Sequence, residues 1–209
     1  MSDVLEALDP AASRRLAERE QEIRADATRI RVRFPAAARE VGRSAGPSAG
    51  PAEVRVEDLA RSRMLDALAV ALSDDPDTLS GEVHDLYRFG DADERRAVLR
   101  SLHRLGLGDQ AVDLVHDGLR TNDPRLVAAA LGPYGATVLD DAAWRHGVLK
   151  CLFTGVPLDV VDGWADRVDE VLVGMVSAFV DERRAAGRDI PTDARRLLGD
   201  TTIDPSRET

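Results

Sequence analysis

The sequence predicts an all-α protein, and three observations lead to that class. Leucine, valine and isoleucine recur at spacings of three and four residues along most of the chain, which is the period of an amphipathic helix. No alternating pattern of useful length predicts a strand. Hydrophobic residues make up 44% of the 209 residues and aromatic residues only 4%, a balance that suits an aliphatic core between helices.

Residues 1–42 are predicted to form an N-terminal helical segment that packs on the main body. A helix is expected from Pro10, a favoured first-turn residue, to about Arg33, and Pro35 is expected to end or break it. It carries a narrow apolar seam with a period of seven, made of Leu16, Ile23 and Ile30. This seam either packs along its own domain or forms a homodimer. The first interpretation is favoured, because a long coiled coil needs about three to four sustained heptads.

Residues 43–53 are predicted to form a flexible loop, residues 54–200 the helical core and residues 201–209 a disordered tail. The loop is rich in glycine, proline, serine and alanine, which bury too little surface to order the segment. In the core, a helix is expected from Val56 to Leu72. A second helix is expected to end at Gly90 and to have one apolar side, made of Leu79, Val83, Leu86 and Tyr87.

The pattern of helices becomes regular after Gly90. A helix capped by Asp91 or Asp93, a break at residues 106–108 and a second helix carrying apolar residues from Leu107 to Leu119 make an antiparallel hairpin. Consecutive hairpins of this size predict a single domain of stacked antiparallel helical hairpins, of the HEAT-like or α-solenoid type. No clear sequence period accompanies the hairpins.

Two further helices are predicted, and the second of them contains a tryptophan. One helix is expected to start at Asp123-Pro124, and residues 132–135 separate it from a helix capped by Asp140. The latter helix contains the segment WRHGVLKCLFTGVPL, residues 144–158, in which a Gly-x-Pro sequence stops the helix. Lys150, the only lysine of the chain, lies off the apolar face, which is formed by Trp144, Val148, Leu149 and Leu152.

The order of these residues resembles the EboA family of bacterial metabolite-traffic proteins. In that family an Arg-Thr-Asn triplet, here residues 120–122, precedes the tryptophan segment, and an Ala-Gly-Arg, here residues 186–188, precedes a short last helix. The resemblance is strongest from about Leu86 to Gly199, and a further short segment that resembles the family lies at residues 39–43. Two features depart from the family pattern, namely His146-Gly147 after the tryptophan and the Gly/Pro/Ala-rich loop.

The resemblance implies a noncatalytic binding or scaffold protein of a specialised-metabolite pathway, which assists the biosynthesis or transport of a small metabolite precursor. Family members lie in gene clusters with a prenyltransferase-like membrane protein, sugar-phosphate or cyclitol-type enzymes and hydrolase-like proteins. The implied partners are therefore other proteins of the pathway, including that membrane protein, and a small-molecule ligand. The alternative is an isomerase-like enzyme acting on a small polar or phosphorylated metabolite such as a sugar phosphate or cyclitol.

Five residues of the motifs are candidates for ligand binding, namely Arg120, Asn122, Tyr134, Trp144 and Lys150. Their guanidinium, amide, ammonium and aromatic groups would suit a polar or anionic metabolite held in a concavity. A structural interpretation stays open beside this one. In it, Arg120 faces the negative end of a helix dipole, Asn122 takes a left-handed conformation at the helix end, and Trp144 is a core residue.

The common enzyme and metal signatures are absent from the sequence, including phosphate-binding loops, His-Glu-x-x-His, paired cysteines and nucleophile elbows. The four histidines lie on four separate predicted helices, and no two have the i, i+4 spacing of a helical metal site. No catalytic residue is therefore assigned, and no cofactor or metal is expected.

The charge of the chain is uneven. Through Arg63, 12 basic residues accompany 11 acidic ones, whereas the remainder has 16 basic and 27 acidic residues, for a net charge of −10 overall. An acidic surface makes nucleic acid and anionic membranes poor partners. The single cysteine, Cys151, fits a reducing compartment. No apolar targeting stretch occurs in the first 30 residues, and charged residues interrupt the longest apolar stripe, from Val168 to Val180, so we expect a cytoplasmic protein without direct membrane insertion.

Overall fold

The computed structural model describes residues 10–42, 50–51 and 53–199, and within these ranges it contains helices and no strand. The all-α prediction is confirmed. Short 3₁₀ turns connect some of the α-helices. The α-helices are α1 (Pro10–Ala25), α2 (Ile30–Val41), α3 (Val56–Ala71), α4 (Pro76–Phe89), α5 (Ala92–Ser101), α6 (Val112–Arg120), α7 (Pro124–Ala130), α8 (Pro133–Val138), α9 (Asp141–Thr154), α10 (Trp164–Arg167), α11 (Glu170–Ala185) and α12 (Thr192–Leu197).

Five helices form a row in chain order, in which α3 packs on α5, α5 on α7, α7 on α9, and α9 on α11. The intervening helices α4 and α6 pack beside α5 and α7, and α1 and α2 both pack on α3. The HEAT-like or α-solenoid classification of this row stays a prediction. Most of the predicted loop and the whole predicted tail lie outside the described residues.

The prediction of one helix from Pro10 to Arg33 is wrong. Helix α1 ends at Ala25, a 3₁₀ turn follows, and α2 begins at Ile30. The reason lies at Asp26, which has extended backbone angles and whose carboxylate accepts a hydrogen bond from the Thr28 N–H at 3.1 Å. An aspartate that satisfies a backbone donor two residues ahead starts a new turn. Pro35 lies inside α2 and does not end it.

The apolar seam of the N-terminal segment is buried within the single chain. Its side chains are fully covered, namely those of Leu16, Ile23 and Ile30. A dimer contact through these residues would therefore require them to leave the core.

Two predicted boundaries in the middle of the chain are wrong. Helix α6 begins at Val112, because Gly106 and Gly108 have φ angles of 69° and 57° and hold the preceding segment in turns. Leu107 is nevertheless buried. Residues 132–135 do more than separate two helices, since Pro133 opens the short helix α8.

Helix α11 buries only part of its predicted apolar stripe. Leu172, Val176, Phe179 and Val180 are buried, whereas Val171 is 55% exposed. Helix α11 lies at the end of the row. It packs on α9 and α12, and its opposite face is therefore left open. No helix in the described part of the chain is both long enough and apolar enough to cross a membrane.

Candidate functional site

The structure places the predicted ligand residues Arg120 and Asn122 at the exposed end of α6. The Arg120 side chain is 72% exposed and pairs with Asp117, at 3.2 Å between Nη2 and Oδ1. The interpretation of Asn122 as a left-handed residue is wrong, since no described residue other than glycine has a positive φ. The end of the helix is closed instead by Thr121, whose hydroxyl donates to the Gly118 carbonyl at 2.9 Å.

Two further predicted ligand residues, Tyr134 and Trp144, are core residues. The Tyr134 hydroxyl donates to the Gly108 carbonyl at 2.8 Å and accepts from the Ala111 N–H at 3.2 Å, so it fixes the turns before α6. Trp144 is fully covered, and the Arg167 guanidinium lies 4.7 Å from the centre of its ring.

Arg120 and Lys150 do lie together, in a shallow depression of about 340 Å³ between α6 and α9. His116 and His146 line the same depression. The structure thus brings together two of the five predicted residues, and the ligand-binding role of the set stays a prediction.

A more enclosed pocket lies where α3, α5 and α7 adjoin, and we call it the α3–α5 pocket. Its volume is about 340 Å³. The apolar wall is formed by Val54, Leu59, Ala128, Ala129, Gly132, Pro133 and Val160. Polar groups come from α3, α5 and the 3₁₀ turn after α5, namely Asp58, Ser62, Arg100, His103 and Arg104.

A buried ion pair connects α3 and α5, two of the helices that line this pocket. Arg96 of α5 donates to the Asp58 carboxylate of α3, with Nη2 at 2.8 Å from Oδ1 and Nε at 3.1 Å from Oδ2, and both side chains are only 2% exposed. Arg96 also lies 3.2 Å from Asp93, which accepts from Arg125 of α7 at 2.9 Å. This chain of alternating charges connects α3, α5 and α7, and it therefore fixes the three helices that surround the pocket.

The two arginines of the pocket have different partners. Arg100 donates to the Glu53 carbonyl at 3.2 Å, and Arg104 donates through Nε to Asp66 at 3.2 Å. Burial lowers the pKa of the Arg100 guanidinium, an effect that the Asp58 carboxylate opposes and the charge of Arg96 reinforces. An arginine pKa begins so high that the group stays charged at neutral pH. The pocket therefore presents two guanidinium cations beside an apolar wall.

Ser62 can act toward a ligand only as a hydrogen-bond acceptor. The Ser101 hydroxyl donates its single proton to the Ala97 carbonyl at 2.7 Å. The 2.7 Å hydrogen bond between the Ser62 and Ser101 hydroxyls must then have Ser62 as donor. The remaining lone pair of Ser62 can accept from a ligand hydroxyl or amine.

Sequence reasoning missed the α3–α5 pocket because its residues come from distant segments. A signal was present, since two polar series recur at a spacing of four: Asp58, Ser62 and Asp66 on one helix, and Arg96, Arg100 and Arg104 on the other. The Arg96–Asp58 and Arg104–Asp66 pairs have the same offset of 38 residues. A constant offset is what two parallel helices in register produce, so the two series are complementary stripes of a single contact.

Two carboxylates of α6, those of Asp113 and Asp117, contact side chains of a different helix, α4. The imidazole of His84 places Nε2 3.0 Å from Asp113 and Nδ1 2.7 Å from the Ser80 carbonyl, while the Tyr87 hydroxyl donates to Asp117 at 2.9 Å. Both ring nitrogens of His84 face acceptors, so the doubly protonated imidazolium is the form that satisfies both.

We expect the link through His84 to weaken as the pH rises. Partial burial disfavours the charged ring, but the hydrogen bonds to Ser80 and Asp113 and the charges of Asp113 and Asp85 outweigh it and raise the pKa of His84. Its contribution is thus complete below the unfolded pKa of about 6.5 and is lost as the pH rises through the higher folded value. Asn in place of His84 should lower the melting temperature more at pH 5.5 than at pH 8.5.

The expected size of this effect is below about 1 kcal/mol, because the pair is partly exposed to solvent. The matched control is His146→Asn, which alters an exposed histidine bonded only to its own helix. A destabilisation by His84→Asn that is equal at both pH values would contradict the imidazolium assignment.

Other reactive groups of the structure are not assembled into a site. No three His, Cys, Asp or Glu side chains of the described ranges converge closely enough to hold a metal ion. Cys151 is buried, and this burial, together with the charge of Asp193, raises the pKa of its thiol to about 12. The thiol therefore stays protonated and packs as a small apolar residue.

Comparison with known proteins gives one finding. The family model described as metabolite traffic protein EboA matches residues 12–199, nearly the whole of the described chain. No curated protein and no solved structure shows a significant match. The match confirms the resemblance found in the tryptophan segment, and it extends that resemblance into α1.

Proposed function

The chain belongs to the EboA family of metabolite traffic proteins, and from this premise we propose that it is a noncatalytic binding protein that holds a small metabolite in the α3–α5 pocket. Membership of the family indicates a role in metabolite pathways. The proposal adds that the protein works in the cytoplasm and assists the biosynthesis or transport of a precursor in a specialised-metabolite pathway.

The observation that carries this proposal is the composition of the pocket. An apolar wall from α7 and α8 faces charged and hydroxyl groups from α3 and α5, in a volume of about 340 Å³. Small-molecule sites commonly occupy about 300–1,000 Å³ and combine a mostly apolar lining with a few polar groups that fix the ligand. The buried Asp58–Arg96 pair holds these groups in place before any ligand arrives.

The polar groups of the pocket also favour binding over catalysis. The Asp58 carboxylate is occupied by Arg96 and by the Arg55 N–H, which donates to it at 3.2 Å. The proton of Ser62 is given to Ser101, and neither partner of that bond is a base that would activate a nucleophile. Because Asp58 and Ser62 already bond to other residues of the protein, the pocket is better suited to binding a ligand than to transforming it.

The alternative function is an isomerase-like enzyme acting on a sugar phosphate or cyclitol. The observation that favours it is His103, an exposed histidine that lines the same pocket as Ser62 and Asp58. A histidine at a ligand can transfer protons near neutral pH. Incubation with sugar phosphates followed by NMR decides between the two functions, since product formation that His103→Gln abolishes would establish the enzyme.

We expect a bulky residue at the mouth of the pocket to prevent ligand binding. Val54 lines the pocket and is 40% exposed, so Val54→Trp fills space without replacing a core residue. Thermal shift with phosphorylated sugars, cyclitols and prenylated precursors should show stabilisation of the wild-type protein by at least one class, and loss of most of that stabilisation in Val54→Trp.

The control for this experiment is Val70→Trp, which adds the same side chain at another exposed valine outside the pocket. It should retain the ligand response. Arg120→Ala and Lys150→Ala test the shallow depression in the same assay. A response that survives Val54→Trp but disappears in these two variants would move the ligand to the depression and contradict the proposed site.

The proposal includes protein partners from the same pathway, among them a prenyltransferase-like membrane protein of the kind that accompanies family members, and it includes no nucleic acid. Size-exclusion chromatography of defined mixtures with each purified pathway protein tests this part. Co-elution supports a direct complex, whereas separate elution at tens of micromolar counts against one.

A further inference from the structure

We infer that the ligand of the α3–α5 pocket is an amphipathic anion, with a carboxylate or phosphate at Arg100 and Arg104 and an aliphatic body on the opposite wall. This inference rests on the proposed function and names the class of ligand. The shared requirement is a negative group joined to an apolar chain.

The first support is the placement of the two guanidiniums. Arg100 and Arg104 are four residues apart at the end of α5 and its following turn, and both line the pocket. Arg100 is buried enough for its pKa to fall. A negative group brought to a partly desolvated guanidinium meets less competition from water, and guanidinium binds carboxylate and phosphate in bidentate geometry.

The second support is the absence of charge from the facing wall. The side chains on that wall are apolar, namely those of Ala128 and Ala129 of α7, Pro133 of α8 and Val160. Small side chains leave room for the ligand, and this surface gains free energy when an aliphatic group covers it. A small polyanion without an apolar part would leave this wall exposed to water.

The third support is a carboxylate that competes with an anionic ligand for Arg104. Asp66 holds Arg104, with 3.2 Å between Nε and Oδ1, and the Asp66 side chain remains 44% exposed. Asp58 also lines the pocket and acts electrostatically on Arg100, but its own carboxylate is bound to Arg96 and only 2% exposed. An anionic ligand must therefore share Arg104 with Asp66, and we expect Asp66 to weaken the interaction.

Two substitutions should consequently change anion affinity in opposite directions. Arg104→Gln should weaken binding of hexyl phosphate about tenfold, since it removes a charged donor. Asp66→Asn should strengthen binding severalfold, because it releases the same guanidinium from its competitor. Isothermal titration with hexyl phosphate measures both, and thermal melting without ligand verifies that each variant is folded.

Matched probes and a matched variant complete the experiment. Hexyl phosphate and hexanoate should bind more tightly than hexanol and than inorganic phosphate. Arg184→Gln removes an arginine from its exposed ion pair with Asp181, which does not line the pocket, and it should leave the affinity unchanged. The gain in Asp66→Asn cannot arise from partial unfolding, so it separates recognition of charge from a loss of structure.

Each contrary outcome has a distinct meaning. If hexanol binds as tightly as hexyl phosphate, and Val54→Trp but not Arg104→Gln abolishes binding, the pocket binds a ligand but the anionic class is overturned. Equal binding of inorganic phosphate and hexyl phosphate overturns the amphipathic part. If no probe binds the wild-type protein, the inference fails, while the thermal shift of other metabolite classes still decides the proposed function.

Discussion

Replacing Arg96 with methionine should destabilise the protein by about 3–5 kcal/mol, the cost of removing one partner from a buried ion pair. The substitution leaves the Asp58 carboxylate at 2% exposure without its bidentate donor, and it also removes one of the three arginines that pair with Asp93 of α5. Urea denaturation at pH 7 measures the loss as a lower midpoint of unfolding.

Two comparisons identify the buried charge as the cause. Arg184→Met removes an exposed arginine from its pair with Asp181 and should cost less than about 1 kcal/mol. Adding Asp58→Asn to Arg96→Met should recover part of the stability, because the second substitution removes the uncompensated charge. An unfolding midpoint of Arg96→Met equal to that of the wild-type protein would refute the role assigned to the pair.

Replacing Gly135 with alanine should cost about 3 kcal/mol. An added Cβ would lie 2.0 Å from the carbonyl oxygen of Ala130, which is backbone and cannot rotate away. Helix α8 would have to move from α7, and overpacking of this kind typically costs about 1–3 kcal/mol, or more when backbone must shift. Because Ala129 and Pro133 line the pocket on either side of this contact, ligand stabilisation should fall as well.

The same substitution at Gly174 supplies the control, and its expected effect has the opposite sign. Gly174 lies inside α11, where an added Cβ would meet no atom within 4 Å. Alanine is a better helix former than glycine, so Gly174→Ala should raise stability by up to about 1 kcal/mol. Thermal or urea unfolding of both variants tests the contact, and equal effects at the two glycines would contradict it.

The sequence by itself determined the helices and most of their beginnings. Asp91, Asp123 and Asp140 each cap a helix through a carboxylate that accepts from a backbone N–H two or three residues ahead. These interactions involve neighbours in the chain, so an aspartate before an apolar period identifies them. Asp26 makes the same kind of contact, but it lies within an apparently continuous helical pattern, and the break it causes was therefore missed.

Only the tertiary structure decided which polar residues face one another. The pairing of Asp58 with Arg96 and of Asp66 with Arg104 depends on α3 and α5 lying parallel and in register, and a shift of either helix would pair other residues. The sequence motif directed attention to Tyr134 and Trp144, which the fold uses for its core. Periodicity shows which side of each helix is polar, but the pocket forms from three helices whose relative placement is set by packing between distant segments.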